Sequence, residues 1–175
     1  MRKADLKKYT GFARQRGAGH AIVIDPSTVR TAPWVRLKCQ FGCRGYGISL
    51  SCPPHTPDHD RTRSMLDSYS RAILLHRHWA KGYNAVGEFN DLIVDLETAL
   101  FLDGFYKAFG MGSGPCSLCK KCDTTKNCSH PQRMRPSMES CGIDVYQTAR
   151  AHGLPIEVVR NHEQERDAYG IVLIE

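Results

Sequence analysis

Three cysteines at C-x2-C-x2-C spacing, Cys116, Cys119 and Cys122, constrain the fold of this chain more than any other feature. Two residues between thiols let one tight turn aim both sulfurs at a common point. Repeating the spacing aims a third sulfur at the same point. One loop can therefore cap three corners of a cube of iron and inorganic sulfide, and the rest of the chain has to support that loop.

The metal is not fixed by the spacing alone. Bacterial two-cluster ferredoxins carry this cysteine spacing, with a further Cys-Pro that completes their ligation. Zinc is the alternative, because two C-x2-C pairs can hold a tetrahedral ion. Zinc does not need an overlapping triplet, so a [4Fe-4S] cluster is the favoured cofactor and zinc stays open.

Further thiols precede and follow the triplet. Cys39, Cys43 and Cys52 lie among glycines and prolines, which predict a rigid loop over 39–57. Cys128 and Cys141 lie in the second cysteine-rich loop, predicted over 110–141. For the first loop, the alternative is that one or two of its thiols are simply buried.

Eight cysteines suit two four-iron clusters, but their partition stays open. In a local partition, one cluster is held by Cys116, Cys119, Cys122 and Cys128, and the other by Cys39, Cys43 and Cys52, with Cys141 or no thiol at its fourth iron. In a crossed partition, Cys52 completes the triplet, because Cys52-Pro53 matches the remote Cys-Pro of two-cluster ferredoxins, and Cys128 joins Cys39 and Cys43. Cys141 falls in a predicted helix, where a small buried thiol is common.

Composition narrows the class of protein. At 175 residues the chain suits one domain over 1–175. No apolar run approaches the roughly 20 residues that span a bilayer, and no secretory signal is recognisable, so a cytoplasmic location is expected. Cysteines clustered in such a chain favour metal ligation over disulfides.

The formal charge of +6 counts no thiolates. Two four-iron clusters of about −2 each, with their thiolates, lower it to roughly +2. Basic residues do not alternate with aromatic ones as in single-strand-binding proteins. The sequence therefore does not favour a nucleic-acid partner, and predicts a redox partner protein, with a small-molecule substrate as the alternative.

Apolar periodicity predicts an α/β fold, a layered sheet with flanking helices and a ferredoxin-like cluster-binding loop region. Predicted helices cover 4–16, 57–69, 86–107 and 136–151. Predicted strands cover 20–25, 71–78, 156–159 and 169–174, with an extended segment over 29–37 broken at Pro33 and a polar turn over 162–167.

Several polar residues are candidates for chemistry. His76 and His78 share one face of a predicted strand. They could be metal ligands or proton donors, but the favoured interpretation is that they are partly exposed histidines with no chemical role. Five more candidates adjoin the cysteines and could bind an anion or move a proton: Arg44, His55, His130, Arg135 and Glu139. Arg135 and Glu139 are also spaced to pair with each other.

The motifs over about residues 35–150 resemble one family. Cys39, Cys43 and Cys52-Pro53-Pro54 come first, followed by the Gly114–Cys128 motif, then Arg135-Pro136-Ser137-Met138-Glu139 and Gly142-Ile143-Asp144-Val145. In this order they resemble the "predicted metal-binding protein" family, also called domain of unknown function 2284. The resemblance implies metal or iron–sulfur binding and no established reaction.

Three functions remain open. The first is single-electron transfer by two iron–sulfur clusters, the second an enzyme that uses an open-coordination iron on a small substrate, and the third a zinc-stabilised binding module. The chain has no dinucleotide fingerprint, phosphate-binding loop or serine nucleophile elbow.

Overall fold

The computed structural model describes residues 6–79, 85–161 and 164–175. Its helices are α1 (Lys7–Gln15), α2 (Pro33–Gly42), α3 (His59–Asp67), α4 (Ala85–Leu102) and α5 (Val145–Ala151). Its strands are β1 (His20–Ile24), β2 (Ala72–Trp79), β3 (Phe109–Met111) and β4 (Arg166–Leu173). Short 3-10 turns cover Pro26–Thr28 and Glu139–Cys141.

The strands form one sheet in the order β1-β2-β4-β3, and every neighbouring pair is antiparallel. One apolar core on one face contains side chains of α1 and α4, and another on the opposite face contains side chains of α3 and α5. The predicted mixture of helices and strands is confirmed, and the layered arrangement is consistent with the predicted α/β class. The ferredoxin-like character of the loop region stays a prediction.

Most predicted elements are present with shifted ends. Asp58 caps α3 by accepting a hydrogen bond from the Arg61 amide. The predicted helix over 4–16 is confirmed by α1, and its residues 4–5 lie outside the described ranges. Helix α4 ends earlier than predicted, before Gly104, whose φ of 98° is one that glycine adopts readily.

Three predictions were wrong. Residues 33–37 are not extended, because Pro33 takes the first position of α2, where a missing N–H costs nothing. Residues 156–159 form no strand. The helix predicted over 136–151 is broken at Gly142, whose φ of 77° ends the 3-10 turn before Asp144 caps α5.

Strand β3 and the early start of β4 were not predicted. Strand β3 lies at the glycine-rich start of the second loop and pairs with β4. Tight packing accompanies it, because a Cβ on Gly110 would lie 2.7 Å from Ile93 of α4. The polar turn over 162–167 includes residues 162–163, which lie outside the described ranges, and Arg166 and Asp167 belong to β4. No helix among the described residues is long and apolar enough to cross a membrane.

Candidate metal centre

The first thiol group is carried partly by a helix and partly by a loop. Cys39 lies in the last turn of α2 and Cys43 at its C-terminal cap, which corrects the prediction that both lie in a loop. Cys52 follows in an irregular segment. The sulfurs of Cys43 and Cys52 converge, since both lie within 3.6 Å of the position that a Cβ on Gly45 would take. The Gly45 amide also donates to Cys43 Sγ at 3.3 Å.

Arg36 holds this group in place. Its Nη1 donates to Thr56 Oγ1 at 2.8 Å and to the Ser140 carbonyl at 2.7 Å. Thr56 Oγ1 donates to the same carbonyl at 2.6 Å. Helix α2, the segment after Cys52 and the turn before Gly142 are therefore joined at one point, although they are far apart in sequence.

The second thiol group is anchored on α4. At its upstream end, the Ser113 amide donates to Asn90 Oδ1 at 2.9 Å. At its downstream end, Arg135 forms a two-pronged ion pair with Glu97, at 2.6 and 2.5 Å. Arg133 pairs with Asp91 and Asp95 of the same helix. The alternative that Arg135 pairs with Glu139 is therefore wrong, because Nε and Nη2 of Arg135 both donate to Glu97.

Within the second group the thiols lie close enough for their charges to interact. Burial raises the pKa of the Cys116 thiol, the Leu118 amide opposes this, and charge on Cys128, Cys119 and Cys122 would raise it further. The His130 amide donates to Cys128 Sγ at 3.3 Å. Amide donors of this kind stabilise thiolates.

The two groups adjoin each other through Cys52 and Cys116. Burial raises the pKa of Cys52, hydrogen bonds from Ser51 and Ser49 lower it, and charge on Cys43 and Cys116 raises it. Cys39 is affected first by burial and then by charge on Cys43. As the side chains stand, the described residues contain no group of three or more His, Cys, Asp and Glu side chains gathered around one metal ion.

Cys141 lies in the buried core, next to the turn that Arg36 joins to α2. It is 1% exposed within the core between the sheet and α5. Burial raises the pKa of its thiol to about 12, and the charged side chains that affect it are Arg36 and Glu139, not other cysteines. This environment is that of a buried core thiol.

The remaining candidates have different surroundings. Arg44, His55 and His130 are exposed beside the cysteines. Glu139 has its Oε2 shielded from solvent without a hydrogen-bond partner, and burial raises the pKa of its carboxyl group. It lines a cleft of about 610 Å³ that Cys39 and Cys43 also line.

His76 is buried, which corrects the expectation of partial exposure, whereas His78 is exposed. The Nδ1 atoms of His20 and His76 are 2.8 Å apart, and His76 Nε2 is 2.7 Å from Asp167 Oδ1. His78 contacts the same Asp167 oxygen at 3.2 Å. No sequence motif pointed to Asp167, Arg36, Asn90 or Glu97, because each acts through a distant partner.

Comparison with known proteins supports the metal-binding interpretation. A family model described as "Predicted metal-binding protein (DUF2284)" matches residues 22–174. The chain belongs to this family. No curated protein and no solved structure matches the chain. Metal binding is thereby supported, while the kind of metal remains a matter for proposal.

Proposed function

We propose that this predicted metal-binding protein holds two [4Fe-4S] clusters and passes single electrons to or from a partner protein. In the favoured partition, Cys116, Cys119, Cys122 and Cys128 hold one cluster, and Cys39, Cys43 and Cys52 hold the other. Such clusters supply one-electron redox chemistry at potentials that their surroundings set.

The nearness of the two thiol groups carries this proposal. Cys52 and Cys116 lie close enough for the charge of one to affect the other. Redox centres held on these groups would be neighbours, so an electron arriving at one could pass to the other. Cys43 and Cys119 are exposed, which gives each group an edge accessible to a partner.

The residues present fit iron–sulfur cores. Main-chain amides donate to Cys43 and Cys128, as is common for cluster ligands whose potential is tuned by N–H···S bonds. The absence of a side chain on Gly45 keeps clear the space between two sulfurs. The local partition is favoured because Cys128 affects Cys116.

A second candidate function is an enzyme that acts on a small substrate. The burial of Cys141 as a neutral core thiol favours it, because the first group then supplies three thiolates and leaves one iron without a cysteine. The cleft lined by Cys39 and Cys43 would give a substrate access to that side. In this function the chain's own task is to bind and orient the substrate there.

Spectroscopy of anaerobically reconstituted protein tests the leading function. We expect a broad visible absorbance that bleaches on reduction, together with a paramagnetic signal from the reduced state. Replacement of Cys119 by Ala should perturb the same signal component as replacement of Cys128, and Cys43→Ala a different one. Protein without visible absorbance and without a reduced-state signal would contradict the proposal.

A further inference from the structure

The cleft beside Cys39 and Cys43 has the size of a ligand site. It lies between α2, the start of α5, residues 156–159 and the start of β4, and its volume is about 610 Å³. Sites for small molecules commonly have volumes of roughly 300–1,000 Å³. Its walls are mainly apolar and include Trp34, Ile143, Tyr146, Val159 and Tyr169.

The cations that line the cleft are already engaged with aromatic rings. Lys38 Nζ lies 5.6 Å from the ring centroid of Trp34, and the Arg150 guanidinium lies 5.6 Å from that of Tyr146. The Arg166 guanidinium lies 5.5 Å from the ring centroid of Trp79. Each of these cation–π contacts stabilises the basic side chain in its present position.

The acidic groups of the cleft also disfavour an ionic ligand. Asp167 is held by His76 and His78 at 2.7 and 3.2 Å. Glu157 is exposed at the rim, where solvent screens its charge. The lining as a whole has three basic and three acidic side chains, so it offers no net charge to a charged ligand, which would lose hydration on entry. The cleft therefore suits a neutral molecule.

One polar atom of the cleft lacks a partner. Glu139 Oε2 is shielded from solvent and makes no hydrogen bond within the protein. Buried polar atoms in folded proteins nearly always have a partner, and an exception calls for an explanation. A hydroxyl or primary amide both donates and accepts hydrogen bonds, so either can satisfy this carboxyl oxygen.

We propose that the cleft binds a neutral, mainly apolar small molecule whose hydroxyl or primary amide group hydrogen-bonds to Glu139. This inference names the substrate class for the second candidate function, and its connection with a cluster rests on the proposed function. Binding itself depends only on the cleft.

Calorimetry with anaerobically purified holoprotein tests this inference. We expect benzyl alcohol and benzamide to bind at least about tenfold more tightly than toluene, which fits the walls but cannot hydrogen-bond, a ratio equivalent to about 1.4 kcal/mol. Benzoate should also bind more weakly than benzyl alcohol, because the three basic and three acidic side chains of the lining leave no net positive charge to compensate its loss of hydration. Equal affinities for benzyl alcohol and toluene would overturn the proposal.

Substitutions at Glu139 isolate the hydrogen bond. Glu139→Met keeps the length of the side chain and should abolish the preference for benzyl alcohol over toluene. Glu139→Gln can still donate and accept, so it should retain that preference. A preference that survives in Glu139→Met would overturn the assignment of Glu139.

Substitutions of two valines locate the binding site. Val159, 36% exposed at the rim, is changed to Trp to fill the cleft, and Val23, 46% exposed on β1, is changed to Trp as the matched control. We expect probe binding to be lost only in Val159→Trp, with an unchanged circular dichroism spectrum. Unaltered binding in Val159→Trp would overturn the proposal. If that variant misfolds, the preference for benzyl alcohol over toluene in Glu139→Met and Glu139→Gln shows whether the probe binds in this cleft.

The two proposals fail separately. Holoprotein with intact clusters that binds none of the four probes would overturn the inference alone. Protein that binds benzyl alcohol but contains no cluster would overturn the iron–sulfur function alone. With both present, the relaxation rate of bound benzyl alcohol protons should rise on reduction of the protein, because a paramagnetic centre lies nearby, and an unchanged rate would overturn the connection with the cluster.

Discussion

Cys141 and Cys116 occupy opposite environments. The Cys141 thiol is embedded in an apolar core beside Arg36 and Glu139, and its pKa is raised to about 12, so it is a neutral thiol at ordinary pH. Cys116 has three other thiols near it and a main-chain donor. Burial raises both pKa values, but Cys116 has other thiols beside it that can share a metal core and Cys141 does not, so of these two we expect Cys116 to be a ligand.

Replacement of Cys141 by Ala should leave the iron and sulfide content per chain unchanged and lower the stability by about 1 kcal/mol, through loss of a buried group. Cys119→Ala, the matched control, should lower the iron content by as much as one cluster. Both contents are measured on protein purified without oxygen. A Cys141→Ala protein that loses iron as Cys119→Ala does would show that Cys141 is a ligand.

His76 predicts a pH dependence of stability. Burial lowers its pKa in the folded protein, although Asp167 opposes this. Below the unfolded pKa of about 6.5, the unfolded chain binds more protons at His76 than the folded protein does. The stability that neutral His76 contributes is therefore fully present above that pH and is lost as the pH falls through the folded pKa. His78 acts in the opposite sense, because its hydrogen bonds to Asp167 and Glu165 raise its pKa.

We therefore expect His76→Phe to lose less stability than the parent protein between pH 7.5 and 5. Urea unfolding at each pH measures the difference. The quantity compared is the change in the free energy of unfolding with pH. A loss of stability that is the same at every pH, from the missing hydrogen bond to Asp167, does not alter this change. Parallel pH profiles for the two proteins would contradict the assignment.

The burial of His76 was not predictable from the strand pattern. Alternation correctly placed His76 and His78 on one face of the strand. It did not show how far along that face other parts of the protein shield the side chains from solvent. His76 lies between His20 of β1 and Tyr169 of β4 across the sheet, whereas His78 lies beyond the end of β1. Cover by distant strands is a tertiary effect that periodicity does not report.

At the scale of elements, the break at Gly142 separates the turn that carries Glu139 from α5. Gly142 has a φ of 77°, and a Cβ there would lie 2.9 Å from the Cα of His59. Gly153 has a similar φ of 66° with no atom near its missing Cβ. The two glycines therefore differ in space and not in backbone conformation.

Gly142→Ala should cost about 3 kcal/mol, because overpacking against main-chain atoms adds to left-handed strain. Gly153→Ala should cost about 1 kcal/mol from the strain alone. Chemical denaturation of both variants measures the difference. Equal losses would show that the contact between Gly142 and α3 is not tight.

The ion pair between Arg135 and Glu97 fastens the second cysteine loop to α4. Both side chains are largely buried, with 16% and 12% exposed, and Glu97 Oε2 also accepts the Gly110 amide at 2.7 Å. Glu97→Ala should cost about 3 kcal/mol, because it leaves a shielded guanidinium unpaired. Glu88→Gln, at the exposed pair with Arg77, should cost less than about 1 kcal/mol. Similar losses in denaturation would contradict an anchoring role for Glu97.

Helices with caps and long apolar stripes were predictable, and so were the central strands. Pro33 was misjudged because proline both breaks extended pairing and starts helices, and the local sequence does not distinguish the two. Residues 156–159 contain β-branched residues at strand-like spacing but form no ladder, since strand formation depends on a partner as much as on propensity. They line the cleft instead.

At the scale of the whole molecule, the sheet and its helices bring two distant thiol groups together. The spacing of the cysteines predicted each group, but it did not predict that Cys52 would lie close enough to Cys116 for their charges to interact. That arrangement depends on long-range anchors, Arg36 for the first group and Asn90 with Glu97 for the second. Neither set of anchors carries a recognisable sequence motif, so the arrangement of the two thiol groups becomes visible only in the fold.

Iron, acid-labile sulfide and zinc per chain, measured together on protein purified without oxygen, test the central claim most directly. Two four-iron clusters predict about eight iron and eight sulfide per chain and negligible zinc. About two zinc per chain, as eight thiols in tetrahedral sites would hold, with little iron and no sulfide would contradict the iron–sulfur account and establish the zinc-stabilised module.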